Sequence, residues 1–215
     1  MNIKAVIFDL DGVIVSTDEN HYQAWNKAAK EEGIPFDREL NESFRGVSRM
    51  DCLDILLNQT DREYSEEEKR ELAKRKNEYY RSSLKNLDSG SILKNVMNIL
   101  GDLKKKGIKI AVGSSSRNTP LILKQIGLDG YFDAVADGNQ IKNSKPHPEV
   151  FLLAAEKLGV EPESCLVIED ADAGIEAGVA GGMKTLGVGS ASGNEKADFR
   201  AEDLSGLTAE DMLSI

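Results

Sequence analysis

Short apolar runs alternate with segments of helical periodicity from residue 92 onward. Apolar residues between 93 and 103 recur at helical spacing, and the basic residues 104–106 before Gly107 are typical of a helix end. Thr119 and Pro120 suit the N-cap and the first position of another helix. The apolar part of MNIKAVIFDL at the start of the chain predicts the first strand. The later predicted strands are IKIAVGSSS, YFDAVADG, SCLVIEDA and KTLGVG, and the helices between them are LILKQIGL, PEVFLLAAEKLG and GIEAGVAGG. This alternation predicts a parallel sheet covered on both faces, so we expect an α/β fold with a Rossmann-like core flanked by helices.

Residues 16–90 interrupt this alternation, because they contain helical patterns and no convincing strand. The segment HYQAWNKAAKEEG is helical up to its glycine, and Ser65 with Glu68 forms a capping-box signature ahead of a long polar helix. We therefore predict an inserted helical cap domain at residues 16–90, and an α/β core formed by residues 1–15 and 91–215. The two crossings, near residues 15–17 and 87–91, would form adjacent hinges.

The charge and hydropathy of the chain exclude several classes of partner. Its 37 acidic and 27 basic residues among 215 give a net charge of −10, which opposes nonspecific binding to nucleic acid or an anionic membrane. No apolar run approaches the roughly 20 residues of a membrane span, and the N-terminus lacks the segment order of a signal peptide. We therefore expect a cytoplasmic protein that binds neither nucleic acid nor membranes, and we expect it to be a monomer.

The two cysteines do not indicate a cross-link or a metal site. Cys52 and Cys165 stand far apart in the sequence, and neither has a second metal ligand at zinc spacing. A disulfide framework and a structural zinc site are therefore not indicated. We expect both to be small core residues, as free cysteines usually are.

Carboxylate, hydroxyl and ammonium groups stand where the predicted strands and a later loop end. These residues are Asp9, Asp11, Ser114, Lys145, Glu169 and Asp170. Each alone has an ordinary explanation as a turn, capping or surface residue. Because ligands collect beyond the carboxyl ends of the strands in an open α/β sheet, we expect all of them to meet at one edge. Four carboxylates there require a cation, and hard oxygen ligands that leave room for water and phosphate favour Mg²⁺.

A carboxylate beside such an ion can attack phosphorus and form an aspartyl phosphate. Ser114 and Lys145 would hold the phosphoryl oxygens as charge redistributes, because phosphoryl transfer depends on positioning and electrostatics. The segments DLDGV, GSSS, SKP and VIED match, in order, the four motifs of the haloacid dehalogenase-like superfamily, which the chain resembles over its whole length.

This resemblance implies a role for each acidic residue of the motifs. Asp9 would be the nucleophile, and Asp11, two positions later, the general acid and base. Mg²⁺ would be held by Asp9, the backbone carbonyl of Asp11, Glu169 and Asp170.

Three further segments, RGVSRMDCL, KRKN and SSSRN, resemble the substrate-binding segments of the β-phosphoglucomutases within that superfamily. The resemblance implies that part of the cap lines a bound sugar phosphate, namely Gly46, Val47, Ser48 and Arg49. It implies that a core loop receives the phosphate that is not transferred, through Ser116, Arg117 and Asn118. The residues that would help the cap close and present the general acid are Thr17, His21, Trp25, Arg45 and Lys76.

Two basic positions depart from the β-phosphoglucomutase pattern, because Arg45 and Arg117 stand where lysine is common. Charge is retained there, but guanidinium and ammonium groups differ in reach and geometry. Arg49 and Arg117 would provide a second anion site beyond the one at the sheet edge, as a bisphosphorylated sugar requires. His21 is assigned to gating and not to proton donation, and Trp25 fits cap-core packing equally well.

The resemblance therefore implies a Mg²⁺-dependent isomerase that acts on small sugar phosphates. Its reaction would interconvert β-D-glucose 1-phosphate and β-D-glucose 6-phosphate through an aspartyl phosphate and β-glucose 1,6-bisphosphate. A sugar-phosphate phosphatase of the same superfamily is the alternative. A catalytically silent binding protein is a third interpretation, and the complete set of motif residues argues against it.

Overall fold

The computed structural model describes residues 3–214, and six strands within that range form one sheet. The strands are β1 (Ala5–Phe8), β2 (Lys109–Gly113), β3 (Ala134–Ala136), β4 (Cys165–Glu169), β5 (Lys184–Gly187) and β6 (Phe199–Arg200). Their spatial order is β3-β2-β1-β4-β5-β6, and every neighbouring pair is parallel. In this doubly wound order the connections reverse direction at β1, between β2 and β4. The predicted α/β, Rossmann-like core is confirmed.

Nine α-helices occur within residues 3–214, and four of them lie between β1 and residue 90. The helices are α1 (Asp18–Glu32), α2 (Arg38–Glu42), α3 (Arg49–Leu57), α4 (Glu66–Ser83), α5 (Val96–Lys105), α6 (Thr119–Gln125), α7 (Glu149–Leu158), α8 (Asp172–Ala180) and α9 (Ala209–Leu213). Short 3₁₀ turns lie at Leu84–Asn86, Ser89–Ser91, Pro162–Ser164 and Gly189–Gly193. The sequence analysis named no element at β6, α2, α3 or α9. Three of these, β6, α2 and α9, have only 2 or 5 residues and are too short to show a periodic signal.

Both faces of the sheet are covered, which explains why β1 is apolar at every position. All four of its residues are buried. Val6 and Phe8 belong to the cluster that includes the apolar faces of α5 and α6, whereas Ala5 and Ile7 belong to the cluster built with α7. Successive residues of a strand point to opposite faces, so a strand between two layers of helices needs apolar residues throughout. Asp9 is the first residue after this buried strand.

Helices α1 to α4 form the predicted helical cap and have an apolar cluster of their own. The largest side chains of that cluster include Trp25, Phe44, Leu53, Leu56 and Leu72. At the start of α4 the Ser65 hydroxyl accepts from the Glu68 N–H, and the Glu68 carboxylate accepts from the Ser65 N–H. This pair confirms the predicted capping box.

The two crossings between core and cap lie side by side. Val15 forms an isolated antiparallel bridge with Ile92, and the Leu93 N–H donates to the carbonyl O of Ile14 at 2.8 Å. Rotation of the cap relative to the core would concentrate in these two short segments. The domain limits at residues 15/16 and 90/91 stay a prediction.

Some local predictions can be compared with the structure directly. Asn118 is the N-cap of α6, Thr119 is its first helical residue and Pro120 follows, so the predicted N-cap at Thr119 is wrong by one position. Cys52 and Cys165 are free and buried, as predicted. Within residues 3–214, no helix combines the length and the apolarity that crossing a bilayer requires.

Gly113 in β2 has no room for a side chain. A Cβ atom added there would lie 2.7 Å from Cδ1 of Phe151 and 3.0 Å from Cγ2 of Ile7, and both residues are buried. We expect Gly113→Ala to lower the free energy of unfolding by about 1 to 3 kcal/mol, because overpacking forces core side chains to shift. Urea unfolding measures the change.

Gly101 in α5 supplies the matched control for that variant. No neighbouring atom lies within 4 Å of a Cβ added there. Gly101→Ala should therefore raise the free energy of unfolding by up to about 1 kcal/mol, because alanine is the better helix former. Equal stability of the two variants would contradict this account of the core.

Candidate active site

A cavity of about 460 Å³ lies between the cap and the carboxyl ends of the strands. Most residues predicted for the site line it: Asp9, Asp11, His21, Trp25, Arg45, Gly46, Val47, Ser48, Arg49, Lys76, Ser114, Ser116, Arg117, Lys145, Glu169 and Asp170. Thr17 and Asn118 are buried outside this lining. The cavity occupies the crevice where doubly wound sheets bind ligands, at the point where β1 and β4 meet.

The ends of β1 and β4 bring two acidic residues together. Phe8 pairs with Ile168 across the two strands, and the Asp9 N–H donates to the Ile168 carbonyl O at 2.9 Å. Asp9 therefore lies level with Glu169. Lys145 joins the two, because its Nζ donates to Oδ1 of Asp9 at 2.5 Å and to Oε1 of Glu169 at 2.6 Å. The loop that carries Lys145 thus neutralises part of the charge at the sheet edge.

Burial makes the carboxyl groups of Asp9 and Asp170 harder to ionise. It raises the pKa of Asp9 to about 7, with Lys145 opposing the shift and Glu169 adding to it. Burial, followed by Glu169 and Asp9, raises the pKa of Asp170 to about 9. Burial alone would lower the pKa of Lys145, but Asp9 and Glu169 hold it above its usual value, so this side chain stays charged. Burial is the main cause of both raised carboxyl pKa values, so additional positive charge nearby would favour the ionised forms.

Arg45 of the cap reaches the same acidic cluster. Its Nη1 donates to Oδ2 of Asp170 at 3.2 Å, and its Nη2 donates to Oδ2 of Asp18 at 2.7 Å. Its Nε donates to Oε2 of Glu42, also at 2.7 Å. The planar guanidinium meets three carboxylates at once, so arginine at this position gives a bridge of fixed geometry between cap and core. The role of Arg45 in cap closure stays a prediction.

The acidic edge has the donor chemistry of a Mg²⁺ site. Asp9, Glu169 and Asp170 offer carboxylate oxygens, and the predicted set adds the backbone carbonyl of Asp11. Within residues 3–214, no three His, Cys, Asp or Glu side chains are grouped so that they alone could hold a metal ion. Basic side chains donate to the carboxylates concerned, so an ion there would rely on the carbonyl, water and phosphate for further ligands. The residues fit Mg²⁺ in donor type and in their excess of negative charge.

Asp11 is held by Thr17, at the start of α1. The Thr17 N–H donates to Oδ1 of Asp11 at 3.0 Å, and the Thr17 hydroxyl bonds to the same oxygen. That hydroxyl also lies 2.8 Å from the OH of Tyr80. Burial raises the pKa of Asp11 to about 6, and the hydrogen bond from Thr17 opposes the shift. Thr17 thus contacts Asp11 and not the cavity.

A buried lysine organises the cap side of the cavity. Nζ of Lys76 lies 2.9 Å from Nδ1 of His21 and 4.6 Å from the centre of the Trp25 ring. Burial and Arg49 lower the pKa of Lys76 to about 7. Burial, Lys76 and Arg49 lower the pKa of His21 well below its usual value, which favours the neutral imidazole, and one tautomer of that form can accept from Lys76 at Nδ1. The Trp25 ring packs edge-on against the Phe44 ring, with centroids 5.4 Å apart, so Trp25 belongs to the apolar cluster of the cap. It also lines the cavity.

A second group of cavity residues carries positive charge. Arg49 and Arg117 both line the cavity, together with Ser116. Burial, then Arg117 and Arg81, lowers the pKa of Arg49. Nε of Arg117 donates to the Gly138 carbonyl O at 3.2 Å, and no carboxylate is involved. Guanidinium groups that repel one another favour a bound anion between them.

Asn118 is turned toward helix α4 of the cap. Its Oδ1 accepts from Nη1 of Arg81 at 3.2 Å, and its Nδ2 donates to Oδ1 of Asn77 at 2.9 Å. Each end of the amide has one partner in the cap, and the second N–H of Nδ2 is left for a further acceptor, so the role of Asn118 at a phosphate stays a prediction.

Tyr80, Arg81 and Asp18 are neighbours of the site that sequence reasoning did not single out. Arg81 lies four residues after Asn77, and Tyr80 lies four residues after Lys76. Residues four apart project from the same face of a helix. This spacing within α4 is the signal that could have found both residues once Lys76 and the KRKN segment had been assigned. We find no comparable signal for Asp18.

The chain is similar to proteins of known identity over most of its length. The sequence model of the haloacid dehalogenase-like hydrolases matches residues 3–182. Beta-phosphoglucomutase of Bacillus subtilis is 41% identical over 210 residues, which cover 97% of this chain and 93% of that protein. Fructose-1-phosphate phosphatase of Escherichia coli is 36% identical over 185 residues, which cover 85% of this chain and 95% of that protein.

The comparison of folds agrees with the comparison of sequences. The crystal structure of beta-phosphoglucomutase from Clostridium difficile matches with a TM-score of 0.93 and 42% sequence identity, covering 99% of this chain and 96% of that one. The residues matched by the family include the ends of β1 and β4 and the loop with Lys145, where the cavity lies. The chain therefore belongs to the haloacid dehalogenase-like hydrolases.

Proposed function

We propose that this enzyme is a β-phosphoglucomutase, which interconverts β-D-glucose 1-phosphate and β-D-glucose 6-phosphate through β-glucose 1,6-bisphosphate. The observation that carries the proposal is one cavity whose lining includes two pairs of side chains of the types that bind anions. Lys145, which contacts Asp9, and Ser114 would form the first group, and Arg49 and Arg117 would form the second. A bisphosphorylated sugar requires both. The similarity to beta-phosphoglucomutase of Bacillus subtilis supports the same activity.

Different charged residues act on Lys145 and on Arg49, which supports the division of the basic side chains into two groups. The charges that act on Lys145 are those of Asp9 and Glu169. The positive charges that act on Arg49 come from Arg117 and Arg81. A phosphate at the first group would meet a nucleophile, whereas a phosphate at the second would meet only binding groups.

In the proposed reaction Asp9 attacks phosphorus and Asp11 transfers the proton. A carboxylate oxygen of Asp9 bonds to phosphorus as the bond to the sugar oxygen breaks, which gives an aspartyl phosphate. Asp11 donates a proton to the departing sugar oxygen. In the opposite step Asp11 removes the proton from the free hydroxyl of a sugar monophosphate, which attacks the phosphoryl group on Asp9 and forms the bisphosphate. The bisphosphate then reorients, and its other phosphate returns to Asp9. Ser114 and Lys145 hold the phosphoryl oxygens in both steps.

Mg²⁺ is the proposed cofactor. Asp9, the backbone carbonyl of Asp11, Glu169 and Asp170 would hold it. When bound, it would neutralise charge on the phosphoryl oxygens and on the carboxylates. The substrate contacts of the cap loop remain part of the same proposal: Gly46, Val47, Ser48 and Arg49.

One incubation separates the proposed activity from its alternatives. The protein is mixed with Mg²⁺, β-glucose 1-phosphate and a small amount of β-glucose 1,6-bisphosphate as a primer. Formation of glucose 6-phosphate is the expected result. Free phosphate as the main product would instead indicate a sugar-phosphate phosphatase, an alternative that the similarity to the Escherichia coli phosphatase favours. A lack of both products would indicate a binding protein.

Arg49 provides a prediction that separates a mutase from a general phosphatase. The bisphosphate has to bind in both orientations, so the phosphate that is not reacting must be held in each half-reaction. A hydrogen bond to a charged group contributes roughly 1.5 to 3 kcal/mol, so we expect Arg49→Ala to slow isomerisation about 10- to 100-fold. Hydrolysis of acetyl phosphate should change much less, because acetyl phosphate has no second phosphate. The two rates are measured on one preparation.

The control for this variant is Arg70→Ala. Arg70 is an exposed arginine of α4 outside the cavity lining. Its replacement should leave both rates unchanged. Equal losses of both activities in Arg49→Ala would point to a general defect of the cap, and no loss in either would remove Arg49 from substrate binding.

A further inference from the structure

We infer that Tyr80 is a positioning residue for Asp11 and acts through the hydroxyl of Thr17. The Tyr80 hydroxyl donates to the Thr17 hydroxyl, which in turn donates to Oδ1 of Asp11, and this leaves Oδ2 as the oxygen that exchanges a proton with the sugar. The inference rests on the proposed role of Asp11 as general acid and base, and it adds a residue on which that role depends.

The direction of the hydrogen bonds follows from the number of protons available. Oδ1 of an ionised Asp11 can only accept, so the N–H and the hydroxyl of Thr17 both donate to it. The hydroxyl of Thr17 has a single proton, which this bond uses. The OH of Tyr80, 2.8 Å away, therefore donates to Oγ1 of Thr17. The chain runs from Tyr80 through Thr17 to Asp11, and each bond polarises the next.

The burial of Tyr80 fixes its hydroxyl in place. Tyr80 and Thr17 both have a relative exposure of 0%. The Tyr80 ring packs against the His21 ring with centroids 4.0 Å apart. Burial and the nearby Asp11 raise the pKa of Tyr80 well above its usual value, so its hydroxyl keeps the proton that it donates.

The second oxygen of Asp11 is the one left for chemistry. Oδ1 accepts two bonds from Thr17, whereas Oδ2 has Nε2 of His21 as a neighbour at 3.9 Å, beyond hydrogen-bond distance. Without the proton of Tyr80, the buried oxygen of Thr17 would lack a donor and its own bond to Asp11 would weaken. The carboxylate would then be held less firmly at the angle that proton transfer requires.

The test compares two phosphoryl donors in the Tyr80→Phe variant. The sugar phosphate releases an alkoxide, which needs a proton from Asp11, whereas acetyl phosphate releases acetate, which needs none. We expect kcat for the sugar phosphate to fall about 2- to 10-fold with KM unchanged. A loss of this size corresponds to the net free energy of one hydrogen bond. Phosphorylation of Asp9 by acetyl phosphate should proceed at the wild-type rate. Equal losses with both donors, or no loss with either, would overturn the inference.

The neighbouring residue Tyr79 provides a matched control. Its hydroxyl donates to the Glu31 carboxylate at 2.8 Å, on the outside of the cap. Tyr79→Phe removes one tyrosine hydroxyl from the same helix, and it should leave the kcat for the sugar phosphate unchanged. A loss equal to that of Tyr80→Phe would show that the effect does not come from the bond to Thr17.

A double-mutant cycle with Thr17→Val tests the path of the effect. If Tyr80 acts through Thr17, adding Tyr80→Phe to Thr17→Val should cause no further loss of kcat. Full additivity of the two losses would overturn the inference. Urea unfolding of each variant identifies any folding defect. If Thr17→Val has one, Thr17→Ser takes its place. This variant keeps the hydroxyl, so adding Tyr80→Phe to it should still lower kcat.

The comparison of donors tests Tyr80 whether the enzyme is a mutase or a phosphatase. The wild-type products decide that question first. If they are free phosphate and sugar, the proposed function fails, but the same comparison of donors still tests Tyr80, because hydrolysis of a sugar phosphate also needs a proton on the leaving oxygen.

Discussion

Replacement of Asp9 by asparagine is expected to abolish phosphoryl transfer while the protein still folds. An amide is a poor nucleophile and a poorer Mg²⁺ ligand than a carboxylate, so the rate should fall by several orders of magnitude. The amide oxygen keeps the shape of the carboxylate and can still accept from Lys145, which now donates to Oδ1 of Asp9. The measurement is turnover of β-glucose 1-phosphate, together with mass spectrometry of the phosphorylated protein.

The matched control for that variant is Asp129→Asn, which changes an exposed aspartate outside the cavity lining in the same way. It should retain full activity and form the phosphorylated protein. Wild-type turnover in purified Asp9→Asn, or a phosphorylated species of normal abundance, would remove Asp9 from the role of nucleophile.

Replacement of Asp11 by asparagine should slow transfer to and from the sugar about 100- to 10,000-fold, the usual contribution of general acid-base catalysis. Asparagine can still accept the two bonds that Thr17 donates to Oδ1, so the side chain should stay in place. Mg²⁺ binding should largely survive, because the proposed ligand at this position is the backbone carbonyl. Single-turnover kinetics with the sugar phosphate measures the effect.

Acetyl phosphate supplies the control for Asp11→Asn. Acetate leaves without a proton, so phosphorylation of Asp9 by this donor should be much less affected than the sugar reaction. An unchanged sugar rate under conditions in which chemistry limits turnover would contradict the assignment of Asp11.

The acidic end of the site could be predicted from the sequence because it depends on the sheet. A strand that is apolar throughout has to lie between two layers of helices, and parallel strands end at the same edge. Asp9 and Glu169 follow from that rule, and the structure places them level with each other at the ends of β1 and β4. The loop residue Lys145 reaches both.

The contacts of the cap residues in the site were less predictable, because they depend on how the cap packs against the core. The pattern of α4 predicts a helix, but it does not say which of its residues face the core. Tyr80 and Arg81 were therefore missed, and the bonds of Asn118 to α4 were not foreseen, while its assignment to a phosphate stays a prediction. Arg45 likewise has three carboxylate partners from distant parts of the chain. The contacts of Asn118 and Arg45 arise from tertiary packing and leave no local periodic signal, whereas the four-residue spacing within α4 points to Tyr80 and Arg81 only after Lys76 and the KRKN segment have been assigned.

The most direct test of the account is a phosphorus mass balance. ³¹P NMR follows β-glucose 1-phosphate, glucose 6-phosphate and inorganic phosphate together, in the presence of Mg²⁺ and a trace of β-glucose 1,6-bisphosphate. The account predicts that the loss of β-glucose 1-phosphate equals the gain of glucose 6-phosphate, well beyond the amount of primer, with inorganic phosphate nearly constant. Inorganic phosphate that rises in step with the loss of β-glucose 1-phosphate would contradict the proposed mutase and identify a phosphatase.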